Sequence, residues 1–599
     1  MRMRFVYAFI FLFFVLILAR VYYFAIKSNT YYEELAKQNS VKTQLLAPVR
    51  GFISDRNGEL LAINELGFSI AIKPYLHIKK SNREFLDEEI LHIVQAFPDL
   101  NASALKRNYI REDSYYNQDF IKVVDFISYD DVIAHYSNLN LRDNLQILPQ
   151  VKRKYPYSHV ASHIIGYIGK ANTQDIKENP ISKLTNYTGK SGVERYYNDI
   201  LQGESGFREV RINAFNKEIE ELNFKATSSK DIKLSIDIRI QQFLSEIFAD
   251  NAGAVIIVDL SDGSLLAAGS FPEYDLNTFV DGISVASWKE LSNNPDHPFT
   301  NKMVNGLYPP GSVVKMGVAL SFLKSGLMNS ATSSFCEGFV ELGGRNFRCW
   351  NRSGHGHMNL KHALQHSCDV YFYEGGLRVG IDKIAPVLSN LGFGSKTGID
   401  LPNEFVGTVP SREWKMHRYK RSWTQGETLN TSIGQGSFLV TPMQVAKYTA
   451  QLATGKGVNL HLLKAVENNI TNEEKFENEI FTSFDKAQLP SIREGMYAVM
   501  NEAGGTAYRY FSNFPIKVAG KTGTAQVISF SQAEKKNIRE ADLEYYTRSH
   551  TWLTSYAPYK NPKYSVTVLV EHGGRNTTTA KITAEIYKKL MELGYIQSN

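Results

Sequence analysis

Three short motifs, far apart in the chain, constrain its fold more than any other feature. They are Ser312-Val313-Val314-Lys315, Ser367-Cys368-Asp369 and Lys521-Thr522-Gly523. A hydroxyl and an amine three residues apart on a helix share one face, about one turn apart, within reach of proton transfer. The first motif therefore predicts a serine nucleophile, Ser312, with Lys315 as its base.

The residues before Ser312 support this prediction. Tyr308-Pro309-Pro310-Gly311 cannot continue a preceding helix, so Ser312 is expected at the start of a new one, where unpaired amides favour negative charge. An amine with the ordinary lysine pKa is no base at neutral pH. We therefore expect Lys315 to be desolvated or crowded by a second cation, for which Lys521 is the candidate.

The third motif lies in residues 516–527, whose β-branched, small and polar side chains predict a strand lining a ligand cleft. Gly523 would let a substrate backbone approach closely. Lys521 and Thr522 would hold the terminal carboxylate of an extended peptide by charge and by hydroxyl hydrogen bonds. Thr524 would supply an amide to an oxyanion hole.

The three motifs in this order resemble those of penicillin-binding proteins and class A β-lactamases. Further stretches are similar to the pedestal of class B penicillin-binding proteins: Arg50 to Gly58, Tyr155-Pro156, the segment His163 to Tyr167, and Gly192-Val193-Glu194. Within that class, Gly434-Gln435-Gly436 and Thr441-Pro442 most resemble the branch that works in cell-wall elongation.

The resemblance implies a D,D-transpeptidase that joins peptidoglycan stem peptides and is a target of β-lactam antibiotics. Ser312 would attack the D-Ala-D-Ala carbonyl, release D-Ala and pass the acyl group to a neighbouring amine, while Ser367 relays protons. Asp369 departs from the asparagine of the general family pattern. Because a carboxylate cannot donate an amide hydrogen bond, its part depends on a cation facing it. No organic cofactor is implied.

The expected fold class is α+β multidomain, with an antiparallel sheet flanked by helices in the C-terminal domain and Ser312 between sheet and helical lobe. Strands are predicted at Ala254 to Asp259, Leu265 to Ala268, Thr551 to Ala557 and Ser565 to Glu571, and a closing helix at Ala580 to Leu593. The predicted divisions are a cytoplasmic tip and anchor at 1–28, a stalk and pedestal at 29–226, a linker at 227–250 and the transpeptidase domain at 251–599.

The N-terminus predicts one membrane span. Phe5 to Ala19 is apolar, and the apolar run resumes from Val21 to Ile26, a length of roughly 33 Å at about 1.5 Å per residue. Arg2 and Arg4 would stay in the cytoplasm, which places the catalytic domain in the periplasm. A cleaved signal peptide is the alternative, although no small-x-small site is evident. Tyr31 to Lys42 predicts a helical stalk.

The net charge argues against a nucleic-acid partner. The +6 total comes from 67 basic and 61 acidic residues, without a concentrated basic block. The basic stretch Arg412 to Arg421 is either a solvated loop or a surface facing anionic glycan or lipid head groups. Trp350, beside Cys349, is assigned to loop packing.

The chain has only three cysteines, Cys336, Cys349 and Cys368, and all follow the first motif, the last of them inside the second. With His355, which stands between two glycines, they form a donor set for a closed tetrahedral zinc site. The alternatives are His357 as the fourth ligand, or a Cys336–Cys349 disulfide that leaves Cys368 as a buried thiol. Relatives in the elongation branch are associated with zinc in this region.

Other functions remain open from the sequence. A β-lactamase or a D,D-carboxypeptidase would share the acylation step but transfer the acyl group to water. A septal class B transpeptidase and a membrane-tethered penicillin sensor or silent scaffold are further alternatives. The partners implied by resemblance are a multi-pass lipid II polymerase of the shape, elongation and division family and rod-shape scaffold proteins.

Overall fold

The computed structural model describes residues 2–27, 41–117, 119–212, 218–467, 469–470, 479–527, 543–574 and 577–597. The chain divides into two structural units. The first contains residues 1–51, 171–187 and 199–230. The second contains residues 52–170, 188–198 and 231–599, and it holds all three motifs.

The β-strands are numbered here in chain order. They are β1 (Val41–Leu46), β2 (Ile53–Ser54), β3 (Leu60–Ile72), β4 (Ile121–Ser128), β5 (Leu145–Lys154), β6 (Ile168–Lys170), β7 (Tyr187–Gly189), β8 (Gly206–Ile212), β9 (Glu218–Lys225), β10 (Ile232–Leu234), β11 (Gly253–Asp259), β12 (Leu265–Phe271), β13 (Ser334–Cys336), β14 (Phe339–Leu342), β15 (Arg345–Arg348), β16 (Gly356–Met358), β17 (Leu463–Val466), β18 (Asn469–Ile470), β19 (Ala519–Ala525), β20 (His550–Ala557) and β21 (Tyr564–Val570).

The α-helices are named by their bounds. They are Arg2–Tyr22, Arg83–Ala96, Ala102–Glu112, Tyr129–Ile133, Tyr136–Asn140, Ser162–Ile165, Thr173–Glu178, Ile181–Thr185, Gly192–Tyr196, Asn198–Gln202, Ile238–Ile247, Asn277–Val280, Val285–Asn293, Lys315–Lys324, Leu360–Gln365, Asp369–Val379, Ile381–Asn390, Arg412–Tyr419, Gln425–Ser432, Pro442–Thr454, Ser483–Asn501, Tyr508–Phe511 and Thr577–Glu592.

The first unit combines an apolar helix with a three-stranded sheet. The helix Arg2–Tyr22 continues as a π-helix over Tyr23–Lys27. Within Met3–Lys27, an 18-residue window has a mean hydropathy of 2.4, and none of that window is buried in the protein. Its length and composition suffice to cross a membrane, as the sequence predicts. The predicted stalk helix lies outside the described residues, except for Val41 and Lys42, which begin β1. The sheet has the order β1-β8-β9 and is antiparallel.

The pedestal part of the second unit is built on a seven-stranded sheet of order β18-β17-β10-β2-β3-β4, with β5 also paired to β3. The predicted hairpin at Asn57-Gly58 joins β2 and β3. The buried Asp55 carboxylate fixes this turn by accepting the amides of Asn57 (2.7 Å) and Glu59 (2.9 Å). The range 227–250, predicted as a linker, contains β10 and the helix Ile238–Ile247, and the domain limits stay a prediction.

A buried ion pair accounts for the Gly192-Val193-Glu194 motif. Arg153 Nε donates to Glu194 Oε1 at 2.8 Å, and the two side chains are 1% and 0% exposed. The Tyr155 hydroxyl donates to the same carboxylate at 3.2 Å. Glu194, in the motif that resembles the class B pedestal, therefore holds β5 and the helix Gly192–Tyr196 together.

The catalytic part contains a five-stranded antiparallel sheet of order β12-β11-β21-β20-β19. The four strands and the closing helix predicted from the sequence are all present, with ends shifted by a few residues. The helices Ile238–Ile247 and Thr577–Glu592 share an apolar core with this sheet. The predicted fold class is confirmed.

The opposite side of the sheet carries the helical lobe. The helix Pro442–Thr454 is buried along nearly its whole length. Thr449, Thr554 and Thr567 link it to β20 and β21 through hydroxyl contacts of 2.6 and 2.8 Å. These three buried hydroxyls satisfy one another where the helix packs on the sheet.

Breaking the Arg153–Glu194 pair should destabilise the second unit. Glu194→Gln keeps the shape but leaves a buried guanidinium without its counter-charge, a loss of about 3–5 kcal/mol in comparable sites. We expect a clearly lower thermal midpoint for the full-length protein in detergent, followed by near-ultraviolet circular dichroism.

The matched control is Glu220→Gln, which breaks a pair with Arg211 whose side chains are 49% and 55% exposed. Exposed pairs contribute about 0–1 kcal/mol, so this midpoint should barely move. Equal midpoints for the two variants would contradict a stabilising role for the buried pair.

Candidate active site

The nucleophile turn is fixed by close backbone packing. Gly311–Val314 forms a 3-10 turn that leads into the helix Lys315–Lys324, as the two prolines predict. Gly311 has a φ of 55°, and a Cβ there would lie 2.5 Å from Thr524 O. Only glycine fits this position. Ser312 is partly exposed, and Lys315 is fully buried.

Lys315 contacts the second motif. Its Nζ donates to Asp369 Oδ1 at 2.7 Å, to Ser367 O at 3.0 Å and to Ser367 Oγ at 3.4 Å. Within the described ranges, the Ser312 hydroxyl makes no hydrogen bond. The structure thus brings Ser312 and Lys315 to one turn, but the ammonium group is directed at Ser367 and Asp369.

Asp369 has the facing cation on which its role depends. Lys315 pairs with Oδ1, and the Trp350 amide donates to Oδ2 at 3.0 Å. Burial raises the pKa of the Asp369 carboxyl, and the charge of Lys315 opposes that shift. The general family pattern has an asparagine at this position. In this chain the aspartate carboxylate instead makes an ion pair with Lys315 of the first motif.

Lys521 lies on the other side of Ser367. Its Nζ donates to Ser367 Oγ and to Thr522 O, both at 2.9 Å. Complete burial, together with the nearby Lys315 charge, holds the pKa of Lys521 well below its usual value of 10.5. The Ser367 hydroxyl is therefore a polar link between two buried amines, one of which is disfavoured as a cation.

The third motif forms β19 at the edge of the catalytic sheet. A Cβ at Gly523 would lie 3.0 Å from Val313 Cγ1 and 3.1 Å from Pro310 O. The space that this glycine leaves is therefore taken up by the chain's own nucleophile turn. Thr524 lies against Gly311 and accepts a hydrogen bond from Gln435 Nε2 at 3.1 Å on its carbonyl. Its amide in an oxyanion hole stays a prediction.

Several residues of the site belong to none of the three motifs. Thr506 Oγ1 lies 2.6 Å from Thr522 Oγ1, and the Tyr448 hydroxyl accepts the Gly317 amide at 2.6 Å. Trp350, assigned to loop packing, supplies its amide to Asp369. No local pattern marks Thr506 or Tyr448. Each is separated in sequence from the residue it contacts, and the fold brings the two together.

The three cysteines and His355 meet beside the second motif. Their ligand atoms all lie within 4.8 Å of one another, and the three cysteines are buried with free thiols. His355 Nδ1 lies 3.6 Å from both Cys336 Sγ and Cys349 Sγ, while its Nε2 is buried without a hydrogen-bond partner among the described residues. His357 instead is exposed and packs against Phe335.

The cluster is chemically suited to a metal cation. Hydrogen bonds from Cys368 and His355 lower the pKa of Cys349, which favours a thiolate. Cys349 Sγ also accepts the Asp369 amide at 3.4 Å. Three sulfur atoms and one imidazole nitrogen are the donor set of a closed tetrahedral zinc site, so the residues present fit zinc.

Comparisons with known proteins agree with this geometry. Residues 253–592 match the penicillin binding protein transpeptidase domain, and residues 45–234 match the penicillin-binding protein dimerisation domain. The chain is 36% identical over 588 residues to the peptidoglycan D,D-transpeptidase MrdA of Haemophilus influenzae, which covers 96% of this chain and 88% of the relative. MrdA of Escherichia coli K12 is 33% identical over 591 residues, or 96% and 91% of the two chains.

A solved structure of penicillin-binding protein 2 from Helicobacter pylori, in complex with MreC, is also similar. It has a TM-score of 0.85 and 42% identity, covering 93% of this chain and 99% of that one. The resemblance predicted from the motifs is confirmed. The chain belongs to the class B penicillin-binding proteins, in the branch of penicillin-binding protein 2 and the MrdA peptidoglycan D,D-transpeptidases.

Proposed function

We propose that this chain cross-links peptidoglycan stem peptides during cell-wall elongation through an acyl-enzyme on Ser312. The observation that carries the proposal is the Ser367 hydroxyl, held by Lys315 and Lys521 beside the nucleophile turn. A hydroxyl between two amines can pass a proton either way, as acylation and deacylation both require.

In the proposed reaction, Ser312 Oγ bonds to the carbonyl carbon of the penultimate D-Ala and gives its proton to a neutral amine of the lysine pair. The C–N bond then breaks, and the terminal D-Ala leaves as an amine that takes up the proton relayed by Ser367. The amine of a second stem peptide attacks the ester, loses a proton through the same groups and restores the Ser312 hydroxyl. Atoms and charge balance without a further reactant.

The other predicted residues receive roles in this scheme. Lys315 is the base assigned from the sequence. Its ammonium would first pass a proton through Ser367 to the neutral amine of Lys521, whose pKa is lowered, and Lys315 would then accept the Ser312 proton. Thr522 would bind the donor's terminal carboxylate, the backbone at Gly523 on the edge strand β19 would pair with the donor backbone, and Thr524 would stabilise the oxyanion. Asp369 positions Lys315, whose ammonium it neutralises.

The alternative functions differ from the proposed one in what happens to the acyl group. A D,D-carboxypeptidase or a β-lactamase would transfer the acyl group to water, and a silent sensor or scaffold would stop before turnover. The septal transpeptidases share the fold. The similarity to MrdA proteins over 96% of the chain favours elongation.

Ser312→Ala should abolish covalent labelling by a fluorescent penicillin, because the ester is proposed to form on the Ser312 hydroxyl. Labelling and release are followed by gel and by intact mass on full-length protein. Stable labelling near one per chain is expected for the native protein and for Ser292→Ala, which changes an exposed serine. Rapid release of hydrolysed penicillin would identify a β-lactamase. If the folded native protein is not labelled at all, the acyl-enzyme proposal is wrong and the non-catalytic scaffold is the remaining alternative.

Acylation should accelerate as pH rises, with a midpoint below the lysine value of 10.5, because burial and Lys315 favour the neutral form of Lys521. Lys521→Arg keeps a permanent cation and should lower the second-order acylation constant by about 10²-fold or more. The control Lys517→Arg changes an exposed lysine two residues before β19. A pH profile that is flat from 5 to 9, with Lys521→Arg fully active, contradicts the assignment.

We further propose that the Cys/His cluster, comprising Cys336, Cys349, His355 and Cys368, holds a structural zinc ion. When bound, zinc would neutralise the thiolates and tie the segment before Ser367 to the loop behind it. The four residues would be the ligands. The chemistry of the donor set and the approach of His355 Nδ1 to the sulfur atoms of Cys336 and Cys349, 3.6 Å in each case, support this assignment.

Protein purified without chelator should contain close to one zinc per chain by mass spectrometry of the metal. His355→Ala should lose most of it, whereas His357→Ala, which alters a neighbouring histidine outside the cluster, should retain it. Absence of zinc together with a Cys336–Cys349 disulfide in peptide mapping would overturn the site.

We also propose that the helix Arg2–Tyr22 is a single-pass anchor in the inner membrane, with the catalytic domain in the periplasm. Arg2 and Arg4, at its N-terminal end, favour that orientation. Because the similar Helicobacter pylori protein was solved with MreC, a rod-shape scaffold protein is a proposed partner. A lipid II polymerase of the shape, elongation and division family is the partner proposed beside the anchor.

A further inference from the structure

Thr506 lies next to the motif proposed to bind the donor's carboxylate, in a segment with no role assigned above. Its Oγ1 is 2.6 Å from Thr522 Oγ1. Thr522 is 2% exposed, while Thr506 is partly exposed. The two hydroxyls therefore join the buried edge of β19 to a position that solvent reaches.

Either hydroxyl can donate in this hydrogen bond, and a carboxylate bound at Thr522 would set its direction. Each threonine hydroxyl donates one proton and can accept at two lone pairs. When Thr522 donates to a carboxylate, its oxygen remains free to accept the proton of Thr506. A hydroxyl that accepts a hydrogen bond is also a stronger donor, so the chain from Thr506 through Thr522 to an anion is cooperative.

The segment before Thr506 is fixed by residues that precede the second motif. Gln365 Nε2 donates to Ala503 O at 2.9 Å, and His366 Nδ1 lies 3.1 Å from Gly504 O, a bond in which the ring nitrogen donates. Gly504 has a φ of 86°, and a Cβ there would lie 2.6 Å from His366 Cε1. The backbone at 503–504 thus fits one arrangement against Gln365 and His366.

His366 connects this segment to the Cys/His cluster. Its ring stacks on that of His355 with centroids 5.9 Å apart, and its carbonyl accepts Trp350 Nε1 at 3.0 Å. The residues immediately before Ser367 therefore contact the loop that carries Thr506 and the tryptophan that caps Asp369. Gln365 and His366, which directly precede the second motif, therefore also contact the loop that lies next to the third motif.

We propose that Thr506 is a positioning residue for the terminal carboxylate of the acyl donor. It orients the Thr522 hydroxyl and strengthens it as a donor, and Gln365 and His366 hold it in place. The inference rests on the proposed function, because the carboxylate is that of the D-Ala-D-Ala end. It adds a residue outside the three motifs that acts on anion binding through Thr522.

The test compares two thioester donors on the full-length protein. Both carry the same acyl group, and the leaving thiol bears either a free carboxylate or its methyl ester. In each case Ser312 Oγ bonds to the carbonyl carbon, the C–S bond breaks, and the released thiol is measured. Thr506→Val should lower kcat/KM for the carboxylate donor by about 3- to 10-fold, the effect of one hydrogen bond, and leave the ester donor unchanged.

Two further variants make the result specific. Thr506→Ser keeps the hydroxyl and should retain the preference for the carboxylate donor. Thr173→Val changes an exposed threonine and should behave as the native protein. An equal loss with both donors, or no loss with either, would overturn the inference while leaving the acyl-enzyme intact. Native protein that reacts with neither donor nor penicillin would overturn the proposed function, and the inference with it.

Discussion

The buried ion pair between Lys315 and Asp369 determines how the active site is assembled. A lysine ammonium has three donors, and Lys315 finds three acceptors on the second motif: Asp369 Oδ1, Ser367 O and Ser367 Oγ. Two charges removed from water are tolerated only when their remaining bonds are satisfied. The Trp350 amide completes this by bonding the second carboxylate oxygen. The helices Lys315–Lys324 and Asp369–Val379 are thereby held at one contact.

The second lysine gains its chemistry from this pair. Both lysines are buried and close together. Asp369 pairs with Lys315, whereas Lys521 donates to the uncharged Ser367 hydroxyl. Burial and the neighbouring positive charge therefore lower the pKa of Lys521. The two amines differ because of their surroundings, and Ser367 links them. An aspartate in the second motif is thus part of the electrostatic arrangement.

The segment before Ser367 is constrained from behind. Cys368 belongs to the Cys/His cluster, Trp350 bonds both Asp369 and the His366 carbonyl, and Gln365 and His366 hold the backbone near Thr506. These contacts extend from the second motif to the third. Displacement of this segment would therefore alter the lysine pair and the proposed carboxylate site together.

Local sequence was enough for the parts that depend on local chemistry. The motif residues, the hairpin at Asn57-Gly58, the strands of the catalytic sheet and the Cys/His donor set follow from spacing, turn residues and alternation, because those properties act over a few neighbouring residues. The resemblance to class B penicillin-binding proteins supplied the architecture. The roles given to Ser312, Lys315 and Lys521 remain predictions that the experiments above test.

Only the tertiary structure decided which groups meet across long sequence separations. The sequence places an amine near Ser312, but the fold directs Lys315 at Asp369 and leaves Gly523 packed against Pro310 and Val313. Thr506 and Trp350 carry no local signature, since a hydrogen bond depends on the final positions of two segments. The sequence by itself determined the chemical groups and their order. The fold determined their distances and burial, and hence their pKa values, because desolvation and charge–charge effects depend on three-dimensional surroundings.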